Sequence, residues 1–235
     1  ITLEANPDDI SIEILKIWEA EGINRLSIGL QSFRPQDLKW MNRAHNATES
    51  KRSIEMVKAL GVHSLSIDLI YGLPNLPLKD WDEQIQSVID YGVDHISAYC
   101  LTVEEKTALF KQVKEGKIIT SDEDEQSTQY LYLVEKLRGA GYEQYEISNF
   151  CLPGKESKHN SSYWKGITYQ GFGPSAHSFD GKKRRFNARN NKVYLKNVNT
   201  GTNYYESENL SPTNRFNEAI LTTIRTKWGV SLPSL

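Results

Sequence analysis

The sequence predicts an α/β fold: a partial (β/α) TIM-like barrel, then a small antiparallel β/loop layer, then the start of a C-terminal helical domain. Three observations carry this expectation. Residues 24–30 (NRLSIGL), 63–70 (HSLSIDLI) and 94–101 (DHISAYCL) are short runs rich in Ile and Leu, and each follows a glycine, Gly22, Gly61 or Gly92, that stops a helical stretch. Helix-period segments separate the runs, so strands and helices alternate, which is the pattern of βαβ units in a parallel sheet. Polar residues gather at the C-terminal ends of the strands, where barrel sites form, and this favours a partial barrel over a doubly wound sheet; the pattern alone does not separate the two.

In chain order, residues 2–5 form a first strand and helices follow over 9–21, 47–60 and 78–91, interleaved with the three apolar runs. A later helix over 122–140 precedes a fifth strand at 142–147. Past Asn149 the chain turns rich in Gly, Asn, Ser and Tyr, at 159–164, 169–179 and 185–188, which suggests short antiparallel strands and long loops. Ser211-Pro212 is an N-cap and N1 pair, and Phe216, Ile220, Ile224 and Trp228 then repeat every four residues as an apolar helix stripe. The expected domains are residues 1–149 (barrel), 150–205 (extension) and 206–235 (the start of a winged-helix-like domain). Ile1 opens directly into a strand and the stripe lacks a cover, so the chain is expected to be cut at both ends.

With 235 residues, 38% of them hydrophobic, the chain can bury a substantial core. A net charge of −2 supplies no general field for nucleic acid, and Lys182-Lys183-Arg184-Arg185 is expected to be a solvated turn. No apolar stretch is long enough for a membrane span, and no signal segment opens the chain, so the expected location is cytoplasmic. Cys100 and Cys151 match no metal-ligand spacing and are expected to be reduced, buried small residues.

The polar residues at the strand ends are Glu4 and Asn6, Gln31, Asp68 and Tyr71, Thr102, and Glu146, Ser148 and Asn149. Asp68 lies inside an otherwise apolar strand, where a carboxylate needs hydrogen bonds or a cation; it is either a site residue or one tied to backbone amides. Arg43, after a short helical stretch, can meet a carboxylate as a bidentate fork. Together, Glu4, Gln31, Arg43 and Asp68 offer acceptors for sugar hydroxyls and a donor for a carboxylate, a set that suits an amino-acid nucleoside. His159, read as a loop residue beside Asn160, Tyr163 and Trp164, is either an iron ligand or a member of a polar network. His177, near Gly171 and Gly173, is read as structural, because those glycines imply a tight backbone turn.

Several segments, in order and spacing, resemble the radical S-adenosylmethionine (SAM) core of the oxygen-independent coproporphyrinogen III oxidase family. They are Glu4-Ala5-Asn6-Pro7, residues 24–33 (NRLSIGLQSF), Arg43 with His45, residues 67–74 (IDLIYGLP) and His95-Ile96-Ser97. Residues 145–150 (YEISNF), 159–164 (HNSSYW) and 171–178 (GFGPSAHS) resemble the heme-chaperone branch of that family, whose HNxxYW motif is associated with heme. The resemblance implies SAM contacts at Glu4, Gln31, Arg43, Asp68 and Thr102. It also implies heme contacts at His159, Asn160, Tyr163 and Trp164, with His159 as a candidate iron ligand, and heme or porphyrin and heme-acceptor proteins as partners. The family's CxxxCxxC loop, which seats a [4Fe–4S] cluster, is not in this sequence and is expected upstream of Ile1, so the cluster belongs to the parent chain and this piece is expected to be catalytically silent. The implied function is a radical SAM heme-pathway protein, most simply a heme chaperone. Alternatives are a true coproporphyrinogen oxidase of porphyrin biosynthesis, a non-redox (β/α) lyase or isomerase using Glu4 or Asp68 as general base, and a non-catalytic binding module.

Overall fold

The computed structural model describes residues 1–231. The chain divides into two compact units, Ile1–Glu156 and the residues from Ser157 onward.

In the first unit, strands β1 (Thr2–Ala5), β2 (Arg25–Gln31), β3 (Ser64–Tyr71) and β4 (His95–Cys100) run parallel, side by side in chain order. Between them lie helices α1 (Ile12–Ala20), α2 (Pro35–Trp40), α3 (Ala47–Ala59) and α4 (Leu78–Asp90); α5 (Ala108–Lys114) and α6 (Glu123–Gly139) follow β4. Side-chain caps fix the starts of two of these helices. Ser11 caps α1 by accepting from the Ile14 amide at 3.2 Å, and Asn46 and Glu49 form a reciprocal capping box on α3. Gly22, Gly61 and Gly92 all take left-handed backbone after helices, as expected of residues that let a chain leave a helix without a Cβ clash.

The helix expected over 9–21 begins only at Ile12. Pro7–Asp9 instead form a 3-10 turn, and Ile10 is extended, which brings Ser11 into capping position. The strand expected over 142–147 shrinks to β5 (Glu143–Gln144), and it is antiparallel rather than a fifth parallel strand. The Glu146 carboxylate accepts from the Ser148 amide at 3.1 Å and from the Asn149 side chain. The chain therefore reverses there into β6 (Asn149–Cys151), which pairs antiparallel with β4. Parallel pairing needs a crossover, and this four-residue turn supplies none.

Alternation along the strands divides the sheet into two faces. On one face, Leu26, Ile28, Leu30, Leu65, Ile67, Leu69, Ile96 and Ala98 are buried in one core cluster with Leu15, Ile54, Val57, Trp81, Ile85, Val88, Leu133 and Leu137 of the helices. Trp81 is fully buried, and its indole N–H donates to the Gln129 carbonyl at 3.1 Å, tying α4 to α6.

The second unit contains α7 (Lys158–Trp164), α8 (Asn191–Thr200) and α9 (Pro212–Thr223), with a sheet in the order β7 (His177–Phe179), β8 (Lys183–Asn187), β9 (Tyr205–Asn209), all antiparallel. Ser211 caps α9 as expected, but the helix stops at Thr223, so Trp228 is not on it. The hydroxyls of Thr222 and Thr223 bond back to carbonyls one turn earlier, and the β-branched run 222–224 adds to this weakening of the helix. Among the described residues no helix is long and apolar enough to cross a membrane.

Truncating Trp81 to Ala removes the largest side chain in the core and the indole hydrogen bond to the Gln129 carbonyl. The expected loss is about 3–5 kcal/mol in a denaturant titration, against less than about 0.5 kcal/mol for Ile119→Ala, whose side chain is 86% exposed. Equal losses for the two would mean that α4 and α6 are not packed through Trp81.

Candidate functional site

The other face of the parallel sheet is polar. Register places Glu4 of β1 beside Ser27 of β2, and Asp68 of β3 beside Ser97 of β4, which in turn faces Asn149 of β6. One step earlier on the same face, Arg25 lies beside Ser64, and Ser66 beside His95. Asp68 is thus one member of a polar surface two to three residues deep, rather than an isolated carboxylate in an apolar strand. The signal was in the sequence: Arg25-x-Ser27-x-Gly29-x-Gln31, Ser64-x-Ser66-x-Asp68 and His95-x-Ser97-x-Tyr99 alternate with the apolar set. Reading the runs as uniformly apolar hid Arg25, Ser27, Ser66, His95, Ser97 and Tyr99.

Two linked groups occupy this face. Burial pushes the Asp68 carboxyl up to about 6; the charge of Glu4 pushes the same way, while hydrogen bonds from Ser97 and Ser27 and the charge of Arg25 resist it. The Ser27 hydroxyl lies 3.5 Å from Asp68 Oδ1. Below Asp68, His95 is fully buried with Nδ1 2.7 Å from the Ser66 hydroxyl and Nε2 2.8 Å from the Tyr145 hydroxyl. Burial, aided by the positive charge of Arg25, pushes the imidazole down to about 3, so it stays neutral. Burial also lowers the Arg25 guanidinium, opposed by Tyr145, Asp68, Asp94 and Glu4.

Gln31 and Arg43 converge at the C-terminal end of β2. A Cβ built on Gly29 would stand 2.9 Å from Gln31 Nε2 and 3.6 Å from Arg43 Nη2, so both side chains lie over a glycine that leaves them room. Gln31 adopts φ +68 at the end of β2, where the β2–β3 register shifts; a non-glycine residue in that region is strained, and such strain concentrates at functional positions. Arg43 Nε is buried without a partner. The chain around Arg43 is anchored by His45, which is buried with Nε2 3.1 Å from the Leu30 carbonyl and Nδ1 3.6 Å from Asp8. Thr102 lies just past β4, exposed, its hydroxyl 3.4 Å from the Cys100 carbonyl. Glu4 is exposed on β1.

The two thiols do not assemble a cluster seat. Cys151 pairs in register with His95, and Cys100 lies five residues further along β4, a separation of roughly 16 Å along the strand. Among the described residues, no group of three or more His, Cys, Asp or Glu side chains is arranged to hold a metal ion. The residues present therefore do not fit a [4Fe–4S] cluster.

In the second unit, His159, Asn160, Tyr163 and Trp164 lie on the helix α7 rather than in a loop. Ser157 caps that helix, accepting from the Asn160 amide at 3.3 Å. Residues four apart on a helix face one another, and the Tyr163 hydroxyl lies 3.1 Å from His159 Nε2 with the rings edge to face at 4.9 Å. The ring contacts continue from Tyr163 to Tyr169 at 4.8 Å and from Tyr169 to Phe179 at 6.2 Å. His159 and Tyr163 are exposed, and Trp164 and Asn160 are half-buried. His177 has two aspects. Its carbonyl stands where a Cβ on Gly171 would clash, the close backbone approach expected there, while its imidazole is exposed.

Residues 1–88 match the family model of the Radical SAM superfamily. The heme chaperone HemW of Bacillus subtilis is 34% identical over 97% of this chain and 61% of its own length. Radical S-adenosyl methionine domain-containing protein 1, mitochondrial, of Mus musculus is 40% identical over 75% of this chain and 40% of its own. The solved coproporphyrinogen III oxidase HemN of Escherichia coli superposes with a TM-score of 0.81 over 96% of this chain and 55% of its own, at 21% identity, which bears on the fold alone. The chain thus spans about 60% of the length of the HemW relative from Bacillus subtilis. Its parallel sheet, its polar strand ends and these likenesses agree: residues 1–88 match the radical SAM superfamily, and over nearly its whole length the chain is similar to HemW heme chaperones.

Proposed function

We propose that this chain is part of a heme-trafficking radical SAM protein, located in the cytoplasm, in which the polar sheet face holds SAM and α7 meets heme that passes to acceptor proteins. The observation that carries the SAM half is the convergence of Gln31 and Arg43 over Gly29, with Arg43 Nε buried and unpaired. An orphaned guanidinium N–H is costly unless a ligand acceptor meets it, and a carboxylate matches the planar fork. Glu4 and Asp68 then accept from ribose hydroxyls, Gln31 bridges the two ends of the ligand, and Thr102 closes the far side past β4. Burial raises the Asp68 carboxyl, and the hydrogen bond from Ser97 and the charge of Arg25 oppose this in favour of the ionised, accepting form. This chain's own contribution is to bind and orient SAM; the redox chemistry would have to come from a cluster that its described residues do not hold.

The heme half rests on the helix that presents His159, Asn160, Tyr163 and Trp164 at one end of a series of aromatic contacts. A neutral imidazole is a good axial ligand and the neighbouring rings offer apolar contact to a macrocycle. With Tyr163 at Nε2, ligation requires either that the Tyr163 hydroxyl swing away or that Nδ1 take the iron.

Calorimetric titration with SAM tests the first half. Asp68→Ala and Arg43→Ala should each weaken binding by about tenfold or more, the loss of a charge-assisted hydrogen bond, while Glu83→Ala, on the exposed side of α4, should leave it unchanged. Equal affinities among folded variants would overturn the SAM site.

Asp68 also makes a pH prediction. Its carboxyl is raised in the fold, so the folded state favours the protonated form. The ionisation cost is absent below pH 3.8 and is fully imposed above about 6. Asp68→Asn should therefore stabilise the chain relative to wild type increasingly from pH 4 to 7, on the order of 3 kcal/mol at the upper end, in denaturation midpoints followed across pH. A flat difference would show that Asp68 is not held against burial.

For heme, His159→Ala should abolish the Soret shift of added hemin, while His63→Ala, an exposed histidine of the first unit, should not. Identical hemin spectra and affinity for wild type and His159→Ala would remove His159 as a ligand.

A further inference from the structure

We infer that the second unit carries a second ligand seat, separate from His159: a cleft at the end of its sheet that takes a flat aromatic ligand bearing carboxylates. The cleft has a volume of about 560 Å³, within the usual range for small-molecule sites, and is bounded by His177, Phe186, Arg189, Tyr204, Tyr205 and Glu206. His159 is not among its lining residues. That the ligand is a tetrapyrrole rests on the heme-pathway function proposed above; that the cleft takes a planar anion rests on its own residues.

The walls are fixed by bonds that leave Arg189 and the His177 imidazole unused. Asn187 is buried and its amide donates to the Gly173 carbonyl at 2.9 Å, while the Gly173 amide donates to the Tyr194 hydroxyl at 3.2 Å, so the glycine-rich turn is pinned to β8 and α8. Tyr194, Tyr204 and Tyr205 stand edge to face in series, at 5.6 and 5.4 Å, and His177 stands edge to face with Phe186 at 4.9 Å. Rings braced in this way offer stacking surface at small entropic cost.

Against those rings sit polar groups with no partner of their own. Arg189 makes no ion pair or hydrogen bond through its guanidinium among the described residues, in contrast to Arg184, which forms a two-point pair with Glu218 at 3.2 and 2.8 Å. The His177 imidazole is likewise without a hydrogen bond. A guanidinium left open beside braced aromatic rings matches a ligand with a planar body and a carboxylate at its edge, and His177 adds a second donor for the same group. Glu206, on the same wall, opposes an anion. Removing that charge should therefore strengthen binding of an anion.

Free-base protoporphyrin is the probe, since its binding needs no iron ligand, and quenching of its fluorescence by the 235-residue chain reports it. Arg189→Gln should weaken binding about tenfold and His177→Gln several-fold, Glu206→Gln should tighten it, and Arg215→Gln, an exposed arginine on α9, should change nothing. All four are surface substitutions, and a melting curve establishes that each variant is folded. Binding within twofold of wild type for both Arg189→Gln and His177→Gln overturns the cleft, as does an equal loss in Arg215→Gln, which would mark general charge attraction. Hemin titration of His159→Ala is read in parallel. Hemin binding that depends on His159, with porphyrin indifferent to Arg189, keeps the proposed function and removes the cleft; porphyrin binding that depends on Arg189, with hemin indifferent to His159, keeps the cleft and removes the α7 heme site.

Discussion

The register of β2, β3 and β4 is the constraint on which the rest of the first unit depends. Because side chains alternate with a period of two, one register places Leu26, Ile28, Leu65, Ile67 and Ile96 under the helices and, by necessity, Ser27, Ser66, Asp68, His95 and Ser97 on the opposite face. A slip of one residue would bury the carboxylate and the imidazole beneath the helices and expose the apolar set. The strength of the apolar core therefore fixes the polar face, and no polar contact has to provide that alignment itself. This explains how one unit holds Asp68, Arg25 and Glu4 close together without a salt bridge within 4 Å among them: the backbone supplies the geometry, and the side chains need only offset one another's desolvation.

Where the sheet departs from regularity, it does so at the C-terminal end of β2. Gln31 ends β2 in left-handed backbone beside Gly29, and the register to β3 shifts there. The regular part of β2 is locked by buried Leu26, Ile28 and Leu30, and this holds the strained residue in place. His45, bonded to the Leu30 carbonyl one residue earlier, brings the Arg43 segment to the same spot. The turn chemistry of β5–β6 works by the same logic: a buried Glu146 spends its carboxylate on local amides and so closes the parallel sheet with an antiparallel strand.

Most of the first unit was legible because its signals are local: a glycine stop after a helix, a cap before one, and apolar runs at regular intervals. Gln31 and Asp68 were legible as rim residues because they were read at strand ends, and Arg43 as a carboxylate fork after a helical stretch, but the convergence of Gln31 and Arg43 was not, since it depends on the room left by Gly29 and on a positive φ that no pattern announces. Arg25 and His95 were missed for a different reason, because a polar residue at every second place was averaged into an apolar run. The strand at 142–147 was misjudged because β propensity does not reveal a carboxylate that captures the amides two and three residues on. Helix α7 was taken as a loop since its seven residues are Ser- and Asn-rich; Ser157 as cap, and the His159–Tyr163 contact one turn apart, outweigh that propensity.

The two units are stabilised by different means, and this bears on function. Buried apolar side chains crowd the first, whereas among the described residues from Ser157 onward Leu210 is the one apolar side chain with less than a tenth of its surface exposed. Edge-to-face rings, side-chain caps and the two-point Arg184–Glu218 pair take the place of a core there. Such contacts contribute on the order of 1 kcal/mol each, well below the burial of a large apolar side chain. A unit held in this way has local stability at the low end of the molecule's range, where segments open and close most readily. A ligand that binds its folded form then adds RT ln(1 + [L]/Kd), which is a large fraction of a small total. For the heme-trafficking role proposed above, a small intrinsic stability makes the unit's folded population responsive to its ligand, while the braced rings keep the cost of binding to the folded form small.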